Sequence, residues 1–328
     1  MTHTDTMERR YSTHDHDVVI VGGGPAGCSA GVFTARAGLD TVIFDRGRSS
    51  ISRCAHLENY LGFPGGIDIE TMYELMHDHA RTAGCAFVPD LVESVGRRDD
   101  GVGFVVQPQE GEPVTARRVV AATRYDGEYL RGLDEDAAMF ETDEHDGEER
   151  EPFDGTDADH DGVTPVEGLY VASPSDEADL QAIVAAGRGG RVARRVVADA
   201  RIDAGWWEAA ATRPDWVRRR AELDDEWADR ETWVEWFDEY LGEDAPVDPS
   251  SERYRRVREA AIDDARDSYV APAEIERRSG EGRRTLAGHL GAEAVVEAFD
   301  DETLLEAMDD DVIRAYVAAE HQSPEASD

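Results

Sequence analysis

Apolar and polar positions along the chain alternate between two periods, and the first change of period is the sharpest. Val18 to Val21 form an unbroken β-branched run that ends in Gly22, Gly23 and Gly24. A run this short, closed by turn residues, predicts a strand buried on both faces. Ala26 to Ala37 predicts a helix that Gly38 stops, and Thr41 to Phe44 predicts the next strand. Ile69 to Ala83 has amphipathic spacing and stops at Gly84. Leu91–Arg97, Val102–Pro108 and Val114–Ala122 then read as three short strands joined by D-D-G and E-G-E-P turns, a β-meander whose last strand returns to the buried sheet. Leu180 to Ala200 is an apolar-periodic helix. Further on, Trp233, Trp236, Phe237, Tyr240 and Leu241 fall on one helical face, Pro214 fits a helix start, and more helices are expected over about Ser250–Tyr269 and within Ala292–Glu320. The pattern predicts an α/β fold: a Rossmann-like domain over 16–204 with a β-meander insertion, then an all-helical C-terminal region over 205–328. Residues 1–15 are polar without periodicity and are expected to form a disordered tail.

The junction of the first strand and helix carries chemistry. Gly22, Gly24 and Gly27 stand at G-x-G-x-x-G spacing, which suits a tight turn, close approach of a pyrophosphate and close helix–strand packing. The helix start offers unpaired N–H groups and the positive end of its dipole to phosphate. Asp45 closes the second strand 23 positions after Gly22, close to the spacing of about 20 expected for an acid that holds a ribose hydroxyl. Strand, helix, strand and acid in this order predict dinucleotide binding rather than a merely structural glycine turn.

Charge narrows the partners. The 328 residues include 73 Asp and Glu against 34 bases, a net −39, and every base is arginine. An acidic, lysine-free surface resembles that of proteins adapted to concentrated salt, since such charge repels itself when screening is weak. It excludes nucleic acid, whose recognition needs a cationic footprint. With 40% hydrophobic residues in periodic order, most of the chain can form a core. Cys28, Cys54 and Cys85 are too few and too scattered for a disulfide framework or a metal site, and no apolar run of membrane-spanning length or signal peptide is found, so a cytoplasmic location is expected. His3, His14 and His16 read as part of a solvated tail rather than as metal ligands.

Several motifs in order carry a family resemblance. G-G-G-P-A-G, E-N-Y-L-G-F-P-G-G-I, V-V-A-A-T, G-L-Y-V-A and Q-A-I-V-A-A-G-R-G-G resemble the FAD-binding half of the low-molecular-weight thioredoxin reductases over about residues 16 to 200. The resemblance implies FAD as cofactor. It places Gly22, Gly24, Pro25, Ala26 and Gly27 at the pyrophosphate, Asp45 and the adjoining Arg46 at the adenosine end, and the loop through Asn59 beside the flavin. Gln181 and Ala182 would open a helix whose dipole faces the pyrimidine side of the ring.

The departures shift the functional expectation. In the family a second dinucleotide-binding domain, bearing the redox C-x-x-C, sits between the two FAD motifs. Here the 38 residues between Tyr125 and Thr164 are acidic, glycine-rich and without a glycine fingerprint, and read as a solvated linker. The A-T-G motif has become Ala122-Thr123-Arg124, and the glycine–aspartate pair after Ala172 has become Ser173-Pro174, with Asp176 two places late. The expectation is an FAD-dependent oxidoreductase that is not an NADPH–thioredoxin reductase, with electrons from a partner protein or from NAD(P)H. The alternative is a non-catalytic flavin-binding sensor or interaction protein. No catalytic residue is assigned; Cys54, with His56 near it, is weighed as a thiol and read as structural. The tryptophans between Trp206 and Trp236 read as helix-packing core, with a stacking platform as the alternative. The helical half is expected either to cover the surface left by the missing domain or to pair two subunits.

Overall fold

A computed structural model describes residues 14–47, 49–124, 127–133, 139–140, 143–145, 148–150, 154, 158–173, 180–213, 219–220 and 228–320. Residues 1–13, His3 among them, and Pro214 lie outside these residues, as do Trp216 and Trp227. His14 and His16 depart from a solvated tail, because Asp15 exchanges hydrogen bonds with Thr115, His14 Nδ1 lies 3.0 Å from Arg98 Nη1, and His16 opens the first strand. Along the chain come β1 (His16–Val21), α1 (Pro25–Arg36), β2 (Thr41–Phe44), the short pair β3 (His56–Leu57) and β4 (Ile67–Asp68), α2 (Ile69–Ala83), β5 (Ala86–Val88), β6 (Val92–Arg97), β7 (Phe104–Pro108) and β8 (Val114–Ala121). A small hairpin of β9 (Asp143–His145) and β10 (Glu148–Arg150) follows, then β11 (Leu169–Val171), the long α3 (Ala182–Asp203) and α4 (Glu208–Ala211).

β1 lies between β2 and β8 and is parallel to both, with Val21 opposite Phe44 on one side and Ala121 on the other. β5 extends the sheet beyond β2. The far edge of β8 is divided: its first half pairs with β7 in antiparallel fashion, while Val119 to Ala121 pair with β11 in parallel. Five parallel strands therefore end on the same side, and the chain's progress across the sheet reverses between β1 and β8. Open α/β sheets bind ligands at such a switch point, outside the carboxyl ends of the strands.

Strand periodicity builds the two layers. Val19, Val21, Val42, Phe44, Val119 and Ala121 face a core shared with the meander residues Phe104 and Val106. Val18, Ile20, Ile43 and Val120 face the opposite core, with Ala26, Ala30 and Val32 of α1 and Val192, Ala193 and Val196 of α3. Glycines set how closely these helices pack. A Cβ on Gly189 of α3 would lie 2.0 Å from the Ala26 carbonyl oxygen of α1, a distance no side chain tolerates.

The acidic stretch between Tyr125 and Thr164 departs from a solvated linker where it is described. Tyr129, Leu130, Met139, Phe140 and Ala158 are buried in the meander-side core, where they cover the apolar face of the strands.

The helical region also divides differently. The chain forms two compact units, 1–271 and 272–328, so α5 (Arg230–Tyr240), α6 (Glu252–Asp267) and the two-residue pair β12 (Arg219–Arg220) with β13 (Tyr269–Val270) stay with the first. Arginines bind them in: Arg256 and Arg253 donate to the carbonyls of Ala204 and Gly205 after α3, and Arg201 of α3 pairs with Asp264 of α6. Trp207 stacks on Tyr254 at 5.4 Å, Trp233 and Phe237 are buried beside them, and Trp206 and Trp236 pack at the edge. The described tryptophans are helix-packing core. The second unit comprises α7 (Pro272–Leu290), α8 (Ala292–Glu297), α9 (Asp301–Ala307) and α10 (Asp310–Glu320).

Candidate functional site: the carboxyl edge of the parallel strands

Gly22 leaves β1 with φ 111°, a left-handed conformation, and donates its N–H to Phe44 O at 2.9 Å. A Cβ there would lie 2.5 Å from Ala122 O, so the turn admits only glycine. Gly27 lies under the same turn, where a Cβ would come within 1.8 Å of Gly22 O. Gly24 caps α1 and Pro25 follows as its first residue, with no acid in the first turn. The first N–H groups of a helix have no intrahelical acceptor. Gly24, Ala26 and Gly27 thus present N–H groups without an intrahelical acceptor, together with the positive helix end, at the strand edge, beside the Ser49 hydroxyl. The arrangement suits a pyrophosphate.

Asp45 sits at the end of β2 directly beneath Gly23, whose added Cβ would touch it. Tyr73 donates its hydroxyl to Asp45 Oδ2 at 2.6 Å. His77 Nε2 is 3.2 Å from the same oxygen and 3.0 Å from Gly23 O; both are pure acceptors, so the proton resides on Nε2. Gly47 N–H donates to Asp45 Oδ1 at 3.0 Å. Burial opposes ionisation of this carboxyl, but the hydrogen bonds from His77, Tyr73 and Gly47 prevail and hold its pKa below the usual carboxylate range. The same burial, with the carboxylate beside it, pushes the Tyr73 hydroxyl well up and keeps it a donor. A carboxylate has about four acceptor positions and three are filled here, which leaves one on Oδ1. Tyr73 and His77 are an i, i+4 pair on α2 that sequence reading treated only as part of an amphipathic helix.

The flavin-side residues also meet. Asn59 Nδ2 donates to Gln181 Oε1 at 2.7 Å across 122 positions, and Ala182 packs against the small cluster of Ile51, Leu57, Ile67 and Met72. Gln181 caps α3, whose first turn contains no acid. From Gln181 to Gly189, where α3 touches the start of α1, the helix rises ~12 Å at 1.5 Å per residue, which sets the separation of the two helix starts along α3. Arg46 is exposed beside Asp45, and Cys54 is exposed at the end of the turn Ser50–Arg53. Cys28 and Cys85 are buried thiols; burial raises both, Cys85 to about 12. Among the described residues, the departure from A-T-G leaves the sole non-glycine with positive φ: Arg124, at 60°, whose N–H donates to Ser173 Oγ.

The family described as "FAD binding domain" matches residues 17–57, the segment that runs from β1 through the glycine turn and Asp45 to β3. This segment is similar to known FAD-binding domains. A thioredoxin reductase of Aquifex aeolicus is 36% identical over 87 residues, 26% of this chain and 27% of that protein. The Bacillus subtilis thioredoxin reductase is 33% identical over 110 residues, 33% of each. The chain thus spans between about a quarter and a third of the length of these relatives. A solved thioredoxin reductase from Gloeobacter violaceus aligns with 63% of the chain and 100% of its own, at 20% identity and a TM-score of 0.47. The residues present suit FAD: the N–H groups that open α1 are available to phosphate, and Asp45 keeps one acceptor position on Oδ1. Among the described residues no helix is long and apolar enough to cross a membrane.

Proposed function

We propose that the chain is an FAD-dependent oxidoreductase of thioredoxin reductase-like type that works without the NADPH domain and dithiol of that family. The observation that carries this reading is the joint geometry of the two helix starts: α1 opens behind a glycine turn too tight for any side chain, and α3 opens at Gln181, held by Asn59. Gly22, Gly24, Pro25, Ala26 and Gly27 would hold the pyrophosphate. Asp45 would accept one ribose hydroxyl while Tyr73 and His77 fix its carboxylate, and Arg46 would flank the adenosine end. Asn59, Gln181 and Ala182 would lie along the flavin, where the α3 dipole favours negative charge. FAD, when bound, supplies the capacity to take up and pass on electrons.

The electrons come from a partner protein or from NAD(P)H docking without a dedicated Rossmann unit, and the buried reduced thiols of Cys28 and Cys85 suit a cytoplasmic setting. A homodimer is the assembly we propose. Arg124 favours a second reading, a flavin-binding sensor, because it brings a bulky cation to a position where the family carries glycine. Anaerobic mixing of the FAD-loaded protein with NADH, NADPH and reduced carrier proteins separates the two. Bleaching of the flavin absorbance within seconds by any donor supports the oxidoreductase; a flavin that stays oxidised with all of them supports the sensor.

A further inference from the structure

A cleft of about 80 Å³ lies away from the phosphate turn, walled by the last turn of α1, the outer face of α3 and the residues that close α4. Its apolar surface comes from Phe33, Val32 and Val197, and four arginines line it: Arg36, Arg194, Arg201 and Arg213. Two of the four are committed. Arg201 pairs with Asp264 at 3.1 Å and donates to the carbonyls of Ala211 and Arg213, and Arg213 donates to Ala261 O and lies over the Trp236 ring. These bonds fix the wall. Arg36 and Arg194 are exposed and make no ion pair or hydrogen bond among the described residues.

We propose that this cleft binds a small organic monoanion, with its charged head between the Arg36 and Arg194 guanidinium groups and a compact apolar body against Phe33 and Val197. Size sets the limit. At roughly 10–15 Å³ for each water-sized position, the cleft of about 80 Å³ takes a ligand of roughly five to eight such positions, an aromatic or branched carboxylate rather than a nucleotide. The chain's net −39 does not exclude it. Charges beyond about 10 Å are screened at 0.1 M salt, while a guanidinium in contact with the anion is not. A carboxylate also matches the planar fork of arginine. The proposal does not rest on the flavin reading, because none of its residues touches the phosphate turn.

Calorimetric titration of the full chain with benzoate, benzamide and inorganic phosphate, at one fixed KCl concentration, tests it. Expected are saturable binding of benzoate, none of benzamide, and phosphate weaker by tenfold or more. Arg36→Gln and Arg194→Gln should each weaken benzoate at least tenfold, while Arg255→Gln, an exposed arginine on α6, leaves it unchanged. Equal binding of benzamide would make the cleft merely apolar, and equal binding of phosphate would make it a bare-anion site. An equal loss in Arg255→Gln would reduce the effect to net charge. Any of these results, or no benzoate binding at millimolar concentration, overturns the proposal, whether or not the protein holds FAD.

Discussion

Asp45 accepts hydrogen bonds from Tyr73, His77 and Gly47 before any ligand arrives, so its carboxylate is fixed in place rather than searching for a sugar. Preorganisation of this kind lowers the ordering cost of binding. Tyr73→Phe should cost about 1 kcal/mol of stability in chemical denaturation and weaken FAD binding, because Asp45 then turns in its site; Asp45→Asn should weaken FAD binding by about tenfold. A folded-state pKa held below the unfolded one has a definite sign. The network's contribution is fully present above the unfolded carboxylate value of about 3.9 and is lost as pH falls through the lower folded value. The wild-type protein should therefore lose more stability between pH 5 and pH 3 than Asp45→Asn does. Arg124 makes the opposite case. A non-glycine held at φ 60° costs of order 1 kcal/mol, so Arg124→Gly should raise the melting temperature of the flavin-free protein. If it lowers it, the arginine side chain contributes more than the strain takes away.

The element scale shows the same glycine logic acting along one helix. Gly189 of α3 lies against the Ala26 carbonyl, whereas an added Cβ on Gly187, two positions earlier, meets nothing within 4 Å. Gly189→Ala should destabilise by about 2–3 kcal/mol or more, since α1 and α3 must separate. Gly187→Ala should stabilise by about 0.5–1 kcal/mol through helix propensity alone. Paired denaturant melts compare them, and equal effects would mean that α3 does not rest on α1 as described. The spacing that makes this packing was legible in the chain. β1, α1, β2 and α2 sit where their periodicity predicted, because strand and helix are both buried and glycines end the runs. Asn59 and Gln181 could be brought together only through the family resemblance, as 122 positions separate them. Tyr73 and His77 escaped notice because an i, i+4 polar pair on an amphipathic helix looks like its solvent face. α7 was missed because none of its residues is buried, and a helix without a buried face carries no continuous apolar stripe to read.

At the scale of the whole molecule, the helices up to Ala271 are tied to the nucleotide-binding part by arginine–carbonyl contacts, and the residues from Pro272 form their own unit. A chain ending at Ala271 should stay soluble and folded. One ending at Ala204 loses the partners of Arg201 and should aggregate. The −39 charge adds a dependence on salt, because weak screening leaves the acids to repel one another. Melting temperature should climb with KCl up to molar concentrations. All of this supports one claim, that the strand edge between α1 and α3 holds FAD. Titration of flavin-free, folded protein with FAD in molar KCl, followed by flavin fluorescence, tests that claim most directly. Saturation at one FAD per chain and a tenfold weaker isotherm for Asp45→Asn are expected; a folded protein that leaves FAD fluorescence and absorbance unchanged would show that the strand edge does not hold FAD.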